Sequence, residues 1–321
     1  MVSFSAIIPC RDSAPFIRRA LRSVAAQTVA AGEVILVDDG SVDGTAEIAE
    51  RTGIPTRIVR ARFGNAALAR NLGAEQATGE WLAFLDADDV WYPHHLARAA
   101  AVLGEGGTSA HLARVDYVDA SSRVVRTPDP WHVAGPVSGL SAADCIRLWL
   151  RDRNFDTLSS VLVSRRRFRE IGGFDRAQTC GHDFEMWLRA IHSRSWSYDP
   201  EPTALYTLMR PGGLTAQSVA RSQLFVARGF IQNTGRYGGC PGYPRLVQAA
   251  ARRALAAALS SGTRGDVRRA RGLAAPHLRP RDRLVFESIG RFPLLFRLVL
   301  AATRRLRGAL RPRGRPAWPR L

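Results

Sequence analysis

The sequence predicts an α/β fold, a doubly wound and mostly parallel sheet flanked by helices, followed by a helical, basic C-terminal extension. Three observations lead to it. Short apolar runs alternate with amphipathic helical segments through about residue 105, the pattern of strands joined by crossover helices. Three of those runs end in polar or acidic clusters. The charge is also divided unevenly: residues 221–321 hold 22 Arg and 3 acidic residues, against 24 Arg and 25 acidic residues before them, so the net charge of +18 lies in the last third. A chain of 321 residues can bury one large core and carry a helical appendage.

The elements follow in order. Ser5 to Pro9 reads as a buried strand, and Phe16/Ile17, Ala20/Leu21 and Val24 mark the apolar stripe of a helix. Glu33 to Val37 is a second strand, ending in the acidic turn from Asp38 to Gly44 and a helix from Thr45 to Arg51. Thr56 to Arg60, Ala66 to Ala77 and Trp81 to Leu85 give strand, helix and strand, with a further helix beginning near Tyr92. In such sheets the loops after the strand C-termini build the ligand crevice. Pro9 to Asp12, Asp38/Asp39 and Asp86 to Asp89 are therefore expected on one rim.

From residue 106 to about 155 the pattern weakens, with Pro128 to Pro130 and Gly135-Pro136 interrupting it, and this stretch is expected to be a variable loop region. Leu158 to Ser164 reads as a strand and Arg165 to Ile171 as a helix ending at Gly172-Gly173. Asp183 to Ala190 is a helix with Phe184, Trp187, Leu188 and Ile191 on its apolar side. Gln248 to Leu259 and Phe292 to Leu310 are helical candidates, the latter mixing apolar residues with Arg297, Arg304, Arg305 and Arg307.

Composition removes several function classes. Every one of the 46 basic residues is Arg, so the lysine of a Walker A phosphate loop and Schiff-base chemistry are both excluded. Cys10, Cys145, Cys180 and Cys240 form no C-x-x-C pair, which points to neither a zinc ribbon nor a disulfide framework. No basic and apolar leader opens the chain, and the longest apolar run, Phe292 to Thr303, is too short to span a bilayer. The expectation is a cytoplasmic protein whose cationic, apolar C-terminal region lies on an anionic membrane surface. A helix packed on the core and followed by a disordered tail is the bland alternative. No nucleic-acid-binding module accompanies the arginines, so no nucleic acid partner is expected.

The chemistry centres on Asp86, Asp88 and Asp89. Three carboxylates in four positions at a strand end call for a hard cation, and Mg²⁺ or Mn²⁺ held by one or two carboxylates completes its shell with water and substrate phosphates. Helix capping is the alternative, but one Asp suffices for it.

Seven pieces then coincide: Ala6 to Asp12, Gln27-Thr28, Val34 to Ser41, Ala69 to Asn71, Leu85 to Asp89, Gly172 to Asp175 and Gly181 to Arg189. In order and spacing the chain resembles family 2 glycosyltransferases with the GT-A fold, over about residues 3 to 215. The resemblance implies a catalytic domain over 1–215, with a nucleotide-sugar half to about 105 and an acceptor half from about 106, and an Arg-rich helical region over 216–321. It implies an inverting transferase moving a sugar from a nucleoside-diphosphate sugar to an acceptor hydroxyl on a glycan or lipid-linked acceptor, in cell-surface polysaccharide or glycolipid assembly. By position, Pro9 and Asp39 would contact the nucleobase, Arg11 and Arg70 the nucleotide, and Asp86 the ribose. Asp88 would hold the divalent metal, and Asp89 would support its neighbours. Asp183 would be the catalytic base, with an ordinary helix N-cap as the alternative and Glu185 as second choice. His182 stands where the family commonly has Glu and is expected to be a local hydrogen-bonding residue. Arg210 replaces a His found in many relatives and is expected at the diphosphate, or else at the surface. The adjacent His94 and His95 are expected to be structural. A polyprenyl-phosphate glycosyltransferase, and a non-catalytic membrane or polyanion binder that keeps a nucleotide-binding core, are the alternative functions.

Overall fold

The computed structural model describes residues 2–103, 108–119, 123–126, 133–151, 157–177, 182–208, 219–261 and 264–284. They fall into two compact units, Met1–Arg210 and Pro211–Leu321.

The first unit opens with β1 (Phe4–Cys10), α1 (Ile17–Ala25), β2 (Glu33–Asp38), α2 (Thr45–Glu50), β3 (Arg57–Arg60), α3 (Ala66–Gln76) and β4 (Trp81–Phe84). Strands β3, β2, β1 and β4 lie side by side in that order, all parallel. Because the chain moves outward from β1 to β3 and then returns to place β4 on the other side of β1, the order reverses between β1 and β4. A crevice opens at such a reversal, outside the strand C-termini. Every residue of β1 is buried, as expected of a strand covered on both faces. Helix α3 packs against it so closely that a Cβ on Gly73 would stand 2.5 Å from Ile7 Cγ2. Only glycine permits that approach, and it fixes the height of α3 above the sheet.

After β4 come β5 (Val90–Trp91), α4 (His95–Leu103), β6 (Thr108–Val118), β7 (Val124–Arg126), β8 (Val137–Leu140) and α5 (Ala142–Arg151). A 3-10 turn at Leu158–Ser160, β9 (Val161–Ser164), α6 (Arg165–Glu170), α7 (His182–Ile191) and β10 (Ser195–Thr207) complete the unit. The sheet continues β4-β9-β6-β10-β5, with β7 paired to β6 and β8 to β10. Here β9 runs antiparallel to both neighbours while β10 is parallel to β6, so the sheet is parallel in its first half and mixed in its second.

The expectation of a variable loop over 106–155 is corrected by β6, β8 and α5. Strand β6 carries His111, Arg114 and Asp116, which break an apolar reading, yet His111 and Asp116 are buried. Partners elsewhere in the chain hold an atom of each: His111 Nδ1 meets Ser197 Oγ at 2.8 Å, and Tyr92 Oη donates to Asp116 at 2.9 Å. A buried polar group is tolerated when hydrogen-bonded, and such partners lie far away in sequence. Pro128 to Pro130 lie outside the described residues.

The second unit contains α8 (Val219–Gln232), α9 (Thr234–Tyr237), α10 (Tyr243–Ser261) and α11 (Arg264–Ala274). Ala251, Leu255 and Ala258 of α10 pack with Ala270 and Ala274 of α11 and with Leu278, and Leu224 of α8 borders the cluster. Small residues at three- and four-residue spacing let the helices approach closely. Among the described residues no helix is long and apolar enough to cross a membrane. The expected helix from Phe292 to Leu310 lies outside them.

Candidate active site

The rim at the C-terminal ends of β1 and β2 is built from interlocked loops. Asp12, in a left-handed conformation at φ 47°, accepts from Val42 N at 2.9 Å while its own N–H reaches Ser41 Oγ at 3.0 Å. Asp43 accepts from Ala14 N at 2.8 Å. Pro9, paired with Val37, and Cys10 close the buried β1, and Arg11 is exposed just beyond it. The Arg11 guanidinium lies over Gly64, where an added Cβ would stand 3.2 Å from Nη1.

Asp39 is buried and already serves the chain itself. Its carboxylate accepts from the backbone N–H groups of Phe63, of Gly64 at 3.1 Å and of Asn65 at 2.9 Å. It thereby clamps the loop ahead of α3, whose first turn Asn65 caps by accepting from Ala67 N at 2.8 Å. A carboxylate offers about four acceptor directions, so one remains for a further donor.

At the tip of β4 the three carboxylates have separate fates. Asp86 and Asp88 are half-buried, whereas Asp89 is buried. Asp89 accepts from Thr207 N at 2.8 Å and from Ser159 Oγ at 2.5 Å, tying the tip to β10 and the 3-10 turn. Burial, then the charges of Asp88 and Asp86, push the Asp89 carboxyl well above the usual range. The backbone carbonyl of Asp88 is held by Arg19 Nη2 at 2.9 Å and Thr207 Oγ1 at 2.7 Å. Sequence reasoning missed Ser159, Thr207 and Arg19, which carry no motif of their own.

Arg70 connects this tip to α7. It is buried on α3; Nη2 donates to Asp86 Oδ1 at 2.5 Å, and Nη1 lies 2.5 Å from His182 Nε2. The next residue along α3, Asn71, exchanges two hydrogen bonds of 2.9 Å with the backbone of Phe174, and that loop precedes α7. Gly173 sits at φ +70°, and a Cβ there would meet Asn71 Oδ1 at 2.6 Å. One helix thus grips both the β4 tip and the approach to α7.

Asp183 stands in the first turn of α7, where its negative charge complements the helix dipole. Its side chain is 45% exposed, and Oδ1 lies 3.0 Å from His182 Nε2. Burial works against its anion, but His182 and then Arg70 outweigh that effect and hold its pKa at about 2. Glu185 is not comparable: it is buried and doubly bonded to Arg189 at 2.6 and 2.7 Å, which leaves Asp183 as the accessible carboxylate of α7. His95 is buried with Nδ1 2.8 Å from Thr203 Oγ1, and His94 Nε2 lies 3.0 Å from Pro202 O, so both tie α4 to β10. Arg210 lies outside the described residues.

Among the described residues no three His, Cys, Asp or Glu side chains form a ready-made metal cage. That arrangement still suits a cation shared with a substrate, since Mg²⁺ takes one or two carboxylates and fills its octahedron with water and phosphate oxygens. Two neighbours are pushed upward first by burial and then by these carboxylates: Asp89, as above, and Tyr206, held well above its usual value by burial and then by Asp89, Asp86, Tyr117 and Asp88.

Comparison with known proteins matches residues 5–171 to the model of glycosyl transferase family 2. The matched stretch contains Pro9, Asp39, Arg70, Asp86 and Asp88, and Asp183 follows it. The uncharacterized glycosyltransferase YibD of Escherichia coli (strain K12) is 40% identical over 165 residues, 50% of this chain and 48% of that protein. A PGL/p-HBAD biosynthesis glycosyltransferase of Mycobacterium bovis is 41% identical over 107 residues, 32% of this chain and 42% of that protein. The chain spans less than two thirds of the length of the curated relatives it matches, 40% for an uncharacterized glycosyltransferase of Nostoc sp.. Among solved structures, S. aureus TarS 1-349 in complex with UDP-GlcNAc matches with a TM-score of 0.65 at 18% identity, covering 88% of this chain and 83% of that one. At that identity the likeness speaks for the GT-A fold.

Proposed function

The chain belongs to glycosyl transferase family 2, and from that premise we propose that it moves a sugar from a nucleoside-diphosphate sugar to an acceptor hydroxyl by a single inverting displacement. The observation that carries this reading is the shared grip on Arg70. Asp86 at the β4 tip and the His182–Asp183 pair on α7, nearly a hundred positions apart, converge on one buried guanidinium. A donor held at the tip would then present its anomeric carbon toward Asp183.

The roles follow from position and chemistry. Pro9, Arg11 and Asp39 line the nucleobase end of the rim, Asp39 through its remaining acceptor direction, and Asp86 faces the ribose. Asp88 would hold a divalent Mg²⁺ or Mn²⁺ ion, which when bound offsets charge on the departing diphosphate. Arg70 supplies fixed positive charge behind the same group, and Arg210 is assigned to the diphosphate by its place in the sequence. Asp183, fully ionised at neutral pH, takes the proton of the acceptor hydroxyl as its oxygen bonds to the anomeric carbon and the bond to diphosphate breaks. A pKa of about 2 makes a weak base. Diphosphate binding beside Arg70 would neutralise part of the positive field and raise it.

TarS was crystallised with UDP and with UDP-GlcNAc, which makes uridine nucleotides the first to test. The M. bovis relative is named for PGL/p-HBAD biosynthesis, which favours a glycan or lipid-linked acceptor in cell-surface assembly. The Arg-rich region over 216–321 would hold the enzyme at the anionic inner face of the membrane. Thermal stabilisation by a panel of UDP-, GDP- and dTDP-sugars, with and without Mg²⁺ or Mn²⁺, tests the donor assignment. A metal-dependent shift with one family of donors is expected, and no shift with any of them overturns it. Transfer to a polyprenyl phosphate would show as an Asp183→Asn variant of nearly normal rate, since that acceptor needs no hydroxyl base.

A further inference from the structure

His182 is the buried residue of this site that the transferase reading leaves without a task. One atom, Nε2, lies 2.5 Å from Arg70 Nη1 and 3.0 Å from Asp183 Oδ1, and among the described residues Nδ1 has no hydrogen-bond partner. The ring stands edge-on to Phe174 at 5.6 Å, and the Arg70 guanidinium lies 5.7 Å from the same aromatic ring. Packing therefore fixes where the imidazole sits and leaves the position of its proton open.

The two contacts of Nε2 make opposite demands. An arginine in a protein only donates, so toward Arg70 the nitrogen must offer its lone pair, which puts the ring proton on Nδ1. An ionised carboxylate only accepts, so toward Asp183 the same nitrogen must carry the proton. Neither tautomer satisfies both neighbours. A ligand that drew the Arg70 N–H away would free Nε2 to take the proton and donate it to Asp183.

We propose that His182 is a positioning residue that couples occupancy of the diphosphate site to the aim of Asp183. This rests on the transferase reading, in which an anionic donor competes with His182 for Arg70. Without donor, the imidazole accepts from Arg70 and leaves Asp183 loosely oriented. With donor, Arg70 turns to the diphosphate, and the imidazole donates Nε2–H to one oxygen of Asp183, leaving the other for the acceptor hydroxyl. A glutamate at position 182 could pair with Arg70 but could give Asp183 no N–H, so the device belongs to this chain's His-Asp pair.

Two substitutions isolate it. His182→Phe keeps the ring against Phe174 and removes both nitrogens. His182→Gln supplies an acceptor oxygen and a donor N–H together, so it serves Arg70 and Asp183 without switching. With Mg²⁺ and the nucleotide sugar that most stabilises the wild type in the UDP, GDP and dTDP panel, His182→Phe is expected to lower kcat by about 10- to 100-fold while donor KM moves less than about threefold. His182→Gln is expected to return kcat to within about threefold of wild type. Ring ¹⁵N NMR, with His182 assigned by its loss in His182→Gln, should show the Nδ1–H tautomer in the free protein and Nε2–H after addition of magnesium pyrophosphate. An unchanged kcat in His182→Phe, a glutamine variant no better than the phenylalanine one, or a tautomer indifferent to pyrophosphate overturns the coupling while leaving the transferase reading intact. A wild type that binds no nucleotide sugar overturns both.

Discussion

The β4 tip and the start of α7 each present a carboxylate close to Arg70, and their electrostatics run in opposite directions. At the tip, burial and the charges of Asp88 and Asp86 push Asp89 upward, and Arg70 reaches Asp86 alone. On α7, burial is outweighed by His182 and Arg70, and Asp183 is pulled down to about 2. The tip is negative because three carboxylates share one loop, and α7 is poised because the adjacent His182 and then a buried cation from another element, Arg70, favour the anion. The tip is therefore suited to recruit positive charge from solution, and Asp183 to remain an anion until a reaction draws a proton to it.

The widest separation between the two regions should appear on removing the α7 carboxylate. Asp183→Asn is expected to lower kcat by about 10²- to 10⁴-fold, the usual range for a general base, while donor-induced thermal stabilisation survives. Equal loss of binding and turnover would erase the distinction between a base on α7 and a donor site at the tip. Asp88→Ala should behave in the opposite sense, abolishing metal-dependent donor stabilisation and lowering kcat/KM by about 100-fold, in line with several kcal/mol of charge stabilisation. A metal-dependent shift that persists in this variant would move the cation away from the tip.

Much of this contrast was legible in the sequence, for a physical reason. Strands β1, β2 and β4 are mostly buried and read as apolar runs, so their ends, and with them Asp39, Asp86 and Asp88, could be placed on a rim before any coordinates. Arg70, Asp183 and His182 could be named by position, with His182 expected only as a local hydrogen-bonding residue, but not the contact from His182 to Arg70, because it joins α3 to α7 across 112 residues. In the second half of the sheet β9 was read, but β6 and β10 were not, for the same reason. Strand β6 buries His111 and Asp116, and β10 buries Asp199 against Arg98 at 2.6 and 2.7 Å. Polar residues in a window argue for a loop unless their partners are known, and here the partners come from other elements. Asp39 shows the converse: the position was readable, but its three bonds to the loop ahead of α3 were not.

A smaller effect tests whether α3 really positions both regions. Gly173 holds φ +70° with Asn71 Oδ1 directly where a side chain would begin. Gly173→Ala should therefore destabilise the protein by about 1–3 kcal/mol through backbone strain and the displaced Asn71 bonds, read as a lowered Tm. If α3 is the common support, the variant should also lose turnover beyond what its stability explains. A Tm close to wild type would mean that the loop yields and that Asn71 is not its anchor.

The smallest expected effect lies in the acid limb of stability. Asp183 has a folded value of about 2 against 3.8 for an ordinary aspartate. A depressed acid contributes stability that is fully present above the unfolded value and is lost as pH falls through the folded one. The wild-type advantage from this charge should be present at pH 5, shrink from about pH 4 downward and be gone below about pH 2. Asp183→Asn cannot titrate there, so urea unfolding of both proteins across that interval should give curves that converge on acidification. With the side chain 45% exposed, solvent screening keeps the difference below about 1 kcal/mol. Curves that stay parallel from pH 5 to pH 2 would show that the positive charge near Asp183 does not stabilise this anion in the free protein.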